Sequence, residues 1–170
     1  MATALLSLVV SPKTATDRES LRRGLQALTA EDPTLHVTVD PVSGDSVVGG
    51  VSELHLEIAV DRLAREFGVS AGVTRPQIVY TEAHFAETTF LLEPVMCVEI
   101  MVPPDHLDAV VADISERRGR VRSTGEQGGM WRVTAHVPLA GLFGYAAYLR
   151  DRTRGRGTFT MQLDQYEPVD

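Results

Sequence analysis

Eight of the 16 basic residues fall in two tight groups: Arg117, Arg118, Arg120 and Arg122, then Arg150, Arg152, Arg154 and Arg156. Every basic residue except Lys13 is arginine. Arginine presents a planar, permanently charged fork that can hold two oxygens of one phosphate at once. Both groups are therefore candidates for contacting a nucleic-acid backbone, where phosphates give position and affinity without reading sequence. The bland alternative is a pair of solvated loops laced with salt bridges. The whole chain carries −7, which argues against indiscriminate attraction to nucleic acid, DNA included. Up to residue 87 there are 7 basic and 12 acidic residues, and after it 9 and 11. The arginines are thus local concentrations on an acidic background.

Other reactive residue types do not assemble into a recognisable centre. Ser52, Glu53 and His55 invite a catalytic reading, but within one helical turn they point in different directions. A helix cap beside a surface histidine accounts for them better. Glu53, Glu57 and Asp61 form an acidic row at i, i+4 spacing, read as a solvated face or one meeting arginines of another domain. The five histidines lack paired metal spacing, and Cys97 is the one cysteine, so no metal is expected. The glycine-rich stretch from Gly44 to Ser52 has no lysine to reach a phosphate. Gly155-Arg156-Gly157 precedes a strand rather than opening a helix. No catalytic residue and no cofactor are expected. A lone cysteine agrees with a reducing compartment. No stretch approaches the ~20 apolar residues that cross a bilayer. Leu5 to Val10 lacks the basic lead of a signal peptide. A cytoplasmic location without a membrane partner follows.

The elements that carry these residues repeat one pattern twice. Leu5 to Val10 reads as a buried strand, and Thr16 with Glu19 as a capping box for a helix with Leu21, Leu25 and Leu28 on one face. Gly24 is a weak point in that helix, and Glu31-Asp32-Pro33 ends it. Leu35 to Val39 alternates as a half-buried strand, turns through Pro41 to Asp45, and returns at Val47-Val48. Ser52 caps a second helix with Leu56, Ala59, Val60, Leu63 and Phe67 inward, stopped by Gly68. Val69 to Tyr80 is extended, with Pro76 favouring an edge. The second half gives a strand from Pro94 to Val102, a helix through Leu107, Val110, Val111 and Ile114, and a hairpin around Gln127-Gly128-Gly129. A helix with Leu142, Tyr145, Ala146 and Leu149 and a strand from Thr158 to Tyr166 complete it.

The expected fold is α+β: two ferredoxin-like (split βαβ, βαββαβ) domains, each a four-stranded antiparallel sheet with two helices on one face. The expected domains are 1–85 and 88–170, with Ala83 to Phe90 a short linker partly packed through Phe85 and Phe90. RNA-recognition domains share this fold and stack bases on exposed strand aromatics. Here Arg132, Thr134 and His136 point outward from the Trp131 strand, so that mode of recognition is disfavoured.

Several ordered motifs resemble bacterial translation elongation factor G. LVVSPKTATDRESL (Leu8 to Leu21), EDPTLHV (Glu31 to Val37), SELHLEIAVDRLAREFGV (Ser52 to Val69) and RPQIVYTEA (Arg75 to Ala83) are similar to its third domain. LLEPVMCVEI (Leu91 to Ile100), ERRGRV (Glu116 to Val121), VPLAGLFGYAAYLRDRTRGRGTFTM (Val137 to Met161) and DQYEPV (Asp164 to Val169) are similar to its fifth. Tetracycline-protection proteins, related GTPases, fit the GRGTFTM ending less well. The resemblance leaves out the GTPase, second and fourth domains, which implies that neither GTP hydrolysis nor translocation belongs to this chain. It implies the ribosome as partner: the small subunit for the third domain, and large-subunit rRNA near the sarcin–ricin loop and stalk base for the fifth. It makes Arg150, Arg152, Arg154 and Arg156 the first rRNA-binding candidates, and Arg117, Arg118, Arg120 and Arg122 the second. Leu54 and His55 match positions near the family's fusidic-acid pocket. Val51 and Ser52 replace the methionine and glycine usual before that stretch.

The leading expectation is a non-catalytic elongation-factor-G-like ribosome-binding protein that modulates, protects or competes with the intact factor. An internally deleted fragment without its own activity is a second reading. A small-molecule regulatory module of paired ferredoxin-like domains is a third.

Overall fold

A computed structural model describes residues 4–169, and the chain divides into two units between Val79 and Tyr80. In the first, alternation of Leu6, Leu8 and Val10 makes β1 (Leu6–Pro12) the buried central strand. It pairs with β3 (Ser46–Gly50) on one edge, and β2 (His36–Val39) lies outside β3. The other edge of β1 carries β4 (Ala71–Val73) and β5 (Gln77–Ile78), which meet Val10 and Leu6 in turn. Pro76 lies in the gap between them, where a residue without an N–H cannot donate to a ladder. The five strands therefore make a sheet four strands wide, and all pairings are antiparallel.

Two helices complete this unit: α1 (Ala15–Glu31) and α2 (Glu53–Phe67). The expected capping box at Thr16 and Glu19 lies two residues too late. Thr14 is the cap: its hydroxyl accepts from the Asp17 N–H at 3.0 Å and donates to the Asp17 carboxylate at 2.7 Å. Asp17 also accepts from the Ser70 N–H at 2.9 Å, tying the cap to the entry of β4. Gly24 is not a weak point. A Cβ there would lie 2.7 Å from Leu63 Cδ2 and 3.1 Å from Phe67 Cγ, so its absence lets α1 and α2 approach closely. Ser52 caps α2 by accepting from His55 N–H, and Gly68 ends it at φ 64°. The exposed face carries the Asp61–Arg65 and Arg62–Glu66 pairs, with Arg62 also reaching Glu31 at 2.8 Å.

The second unit contains β6 (Thr81–Phe85), β7 (Thr88–Val102), α3 (Leu107–Glu116), β8 (Arg120–Gln127), β9 (Met130–Pro138), α4 (Tyr145–Thr153) and β10 (Thr158–Pro168). Its antiparallel order is β10-β7-β9-β8, the same split arrangement as the first unit. Met96, Val98, Ile100 and Val102 face Val133, Ala135 and Val137 in the core, each essentially buried. Each fully buried aliphatic side chain of this kind contributes roughly 1.5–3 kcal/mol. Gly128 and Gly129, both at positive φ, close the β8–β9 hairpin as its sequence predicts. Leu142 does not lie in α4. It ends a short 3-10 turn, Leu139–Leu142, and Gly144 at φ 72° separates that turn from the helix.

Ala83 to Phe90 is not a linker. Thr81 to Phe85 pairs with Thr88 to Leu92 as a hairpin on the long N-terminal half of β7. Leu92 pairs with both Thr81 and Pro168, so β6 and β10 flank opposite edges of β7. Phe85 is 77% exposed and Phe90 41%, so neither is packed as expected. The run Thr81 to Phe90, TEAHFAETTF, reads equally as extended linker or strand, and the turn at Ala86 (φ 55°) decides.

Candidate nucleic-acid interface

Arg150 and Arg152 lie in the last turn of α4, where cations complement the partial negative charge of exposed carbonyls. The chain then leaves the helix through two left-handed residues, Arg154 at φ 54° and Gly155 at φ 80°. Thr153, fully buried, organises this exit. Its hydroxyl donates to Leu149 C=O at 2.7 Å and accepts from Gly157 N–H at 2.8 Å. Gly155 N–H reaches Arg150 C=O at 2.8 Å, and Arg156 N–H reaches Thr153 C=O at 3.1 Å. A Cβ on Gly157 would press within 2.9 Å of the Thr153 hydroxyl, so glycine is required for the turn to close.

All four arginines of this segment are exposed. Arg150 comes within 3.9 Å of Asp151, and Arg156 leans on Asp105 at 3.6 Å and on His106. Arg152 and Arg154 have no acidic partner among the described residues. A rigid turn thus presents two uncommitted cations between two lightly committed ones. Thr153 is the residue that sequence reading missed here. Its signal is a threonine at the last position of a helix, four residues before a glycine.

The second arginine group is largely spent inside the unit. Arg117 pairs with Asp113 at 2.7 Å and donates to Gly141 C=O at 2.8 Å and Phe143 C=O at 3.3 Å. Its guanidinium also lies 4.9 Å and 5.2 Å from the ring centres of Tyr145 and Tyr148. It ties the end of α3 to the segment entering α4 and is not free for a phosphate. Arg118, itself at φ 64°, pairs with buried Glu93 at 3.3 Å. Arg120 pairs with Glu167 at 2.7 Å and holds that carboxyl below the usual range. Glu93 and Glu167 face each other on β7 and β10, so these two arginines offset a pair of adjacent carboxylates. Arg122 alone of this group is exposed without an acidic partner among the described residues.

Beneath Arg117, Tyr145 packs edge-on to Phe159 and is 1% exposed, and its hydroxyl has no partner among the described residues. Burial raises its pKa, since a phenolate there would be unsolvated. A buried hydroxyl left unpaired is destabilising. Tyr145→Phe is therefore expected to raise the unfolding free energy by about 1 kcal/mol, measured by urea denaturation; a loss of that size would mean the hydroxyl is satisfied.

In the first unit Leu54 is exposed on α2, but His55 is not the surface residue expected. Its Nδ1 accepts from Val51 N–H at 3.0 Å, so the neutral ring carries its hydrogen on Nε2 and donates to Asp32 at 2.6 Å. Gly50 makes room, since a Cβ there would lie 2.7 Å from Nδ1. The side chain thereby links the β3–α2 turn to the end of α1. Hydrogen bonds from the Thr34 hydroxyl and N–H, then from His55, lower the Asp32 pKa to about 2. A depressed pKa contributes stability that is complete above the unfolded value near 3.8 and fades as pH falls toward 2. Asp32→Asn is expected to lose that contribution at neutral pH. The stability gap between wild type and variant should close between about pH 4 and 2, read by denaturation at each pH; a constant gap would contradict the assignment.

On the open face of the second sheet, Arg132, Thr134 and His136 line β9 on the side away from the core, as the alternation predicts, and none is a phenylalanine, tyrosine or tryptophan. No three histidine, cysteine, aspartate or glutamate side chains gather as metal ligands among the described residues. No helix there is long and apolar enough to cross a membrane.

Two family comparisons bear on these units. The family described as Elongation Factor G, domain III matches residues 1–75, and Elongation factor G C-terminus matches residues 90–170. The chain belongs to the elongation factor G family. The α4–β10 turn lies within the elongation factor G C-terminal domain and α2 within domain III. Residues 76–89, between the two matches, hold β5, β6 and the first two residues of β7. The two elongation factor G domains are thus joined through a hairpin rather than through another domain. These are translation-elongation factor domains.

Proposed function

We propose that this chain is a non-catalytic ribosome ligand that occupies part of the ribosomal site used by intact elongation factor G. The observation that carries the proposal is the fixed turn bearing Arg150, Arg152, Arg154 and Arg156 on a domain of that family, with Arg152 and Arg154 unneutralised. Cations held in place before binding lose less conformational freedom on meeting phosphates than cations on a mobile loop. Arg122 is an accessory contact, while Arg117, Arg118 and Arg120 support the domain that presents the turn. Large-subunit rRNA is the main partner, the small subunit a second one through domain III, and the setting is the cytoplasm. Binding there would compete with the intact factor. Chemical footprinting of rRNA in the presence of the chain tests this. Protection at the sarcin–ricin loop and stalk base is expected, and unchanged reactivity at both would overturn the proposal.

A further inference from the structure

The hairpin β6–β7 is the part of the second unit that neither family match covers in full, and it leaves an unpaired edge. β6 pairs with β7 on one side, and no strand among the described residues pairs with its other side. An open edge is a template for another strand. The register Phe85↔Thr88, Ala83↔Phe90 and Thr81↔Leu92 puts Phe85, Ala83, Phe90 and Leu92 on one face of this hairpin. The opposite face carries Glu82 and His84, which are 64% and 68% exposed and 4.0 Å apart.

We infer that the free edge of β6 pairs with β6 of a second copy of this chain, antiparallel and centred on Ala83. The strand is self-complementary about that residue. A two-fold through Ala83 sets Glu82 opposite the partner subunit's His84 and His84 opposite the partner subunit's Glu82. Two cross-strand pairs of favourable character result from one symmetry operation. On the other face the same operation sets Phe85 opposite the partner subunit's Thr81. The exposed Phe85 and Phe90 and the half-buried Ala83 and Leu92 of both copies then form one continuous apolar face. Two hairpins joined at one edge bury little surface, so the dimer is weak and concentration-dependent.

Sedimentation equilibrium of the intact chain from low to high micromolar concentration tests the pairing. The apparent mass should rise from 18.5 kDa toward twice that value. His84→Glu places glutamates opposite one another twice and should weaken association about 10-fold. Glu82→Arg with His84→Glu sets arginine opposite glutamate twice and should restore it, which only this register allows. Both side chains are exposed, and circular dichroism should show the fold unchanged in each variant. A mass that stays at the monomer value throughout overturns the inference. So does a doubled mass that His84→Glu leaves intact or that the exchanged pair fails to recover, including one that reflects pairing through another surface.

Discussion

Arg152→Glu with Arg154→Glu is expected to weaken ribosome binding by about 100-fold at moderate salt, because each phosphate contact contributes roughly one unit to the slope of log affinity against log salt. The slope itself should fall by about 2. These two positions are the sharpest choice because neither guanidinium has an acidic partner among the described residues, whereas Arg156 already leans on Asp105. Reversing Arg152 at the end of α4 opposes the helix dipole, which costs at most about 1 kcal/mol of stability. Thermal unfolding should therefore move by only a few degrees while binding is lost. Arg154→Gly separates backbone from charge. Glycine relieves the left-handed conformation at φ 54°, so the variant should be at least as stable as wild type and yet bind several-fold more weakly. Binding unchanged in the double variant would remove this turn from the interface.

Arg117→Ala should do the reverse. The side chain is 19% exposed and its partner Asp113 12%, and it also satisfies the carbonyls of Gly141 and Phe143. Removing it leaves a largely buried carboxylate and a carbonyl unpaired and strips the cation from above two tyrosine rings. Breaking a buried pair costs on the order of 3 kcal/mol. For a domain of this size that is on the order of a 15 °C fall in Tm. Ribosome binding measured well below that temperature should stay close to wild type. Arg117→Lys should recover only part of the loss, since an ammonium cannot span Asp113 and Gly141 and lie flat on the rings together. A variant that unfolds normally but no longer binds would make Arg117 a phosphate contact after all.

These opposite outcomes mark where sequence was informative and where it stopped. Periodicity placed the core strands and helices, because Leu56, Ala59 and Leu63, or Met96, Val98 and Ile100, follow the repeat of their element and nothing competes with burial. The Ser52 cap and Gly68 stop were equally legible, since each acts on its own neighbours. The role of Gly24 lies across the α1–α2 contact, which no local pattern reports. The hairpin at Ala83–Phe90 looks like a linker in sequence because its partner strand extends six residues earlier than Pro94, through polar Thr88 and Thr89. Arginine spacing located both basic groups but could not distinguish them. Whether a guanidinium is free depends on carboxylates distant in sequence, such as Glu93 for Arg118 and Glu167 for Arg120. Arg117, by contrast, has its partner four residues away on α3, an i, i+4 spacing that lies within the reach of local pattern although it is not among the pairs singled out from sequence.

Every role proposed for this pair of elongation factor G domains requires that it bind the ribosome by itself. Co-sedimentation with purified ribosomes across a salt series, with intact elongation factor G as competitor, tests it most directly. Saturable binding that weakens steeply with salt and is displaced by the intact factor is expected. Absence of binding at low salt, or binding that neither salt nor the intact factor diminishes, would contradict it.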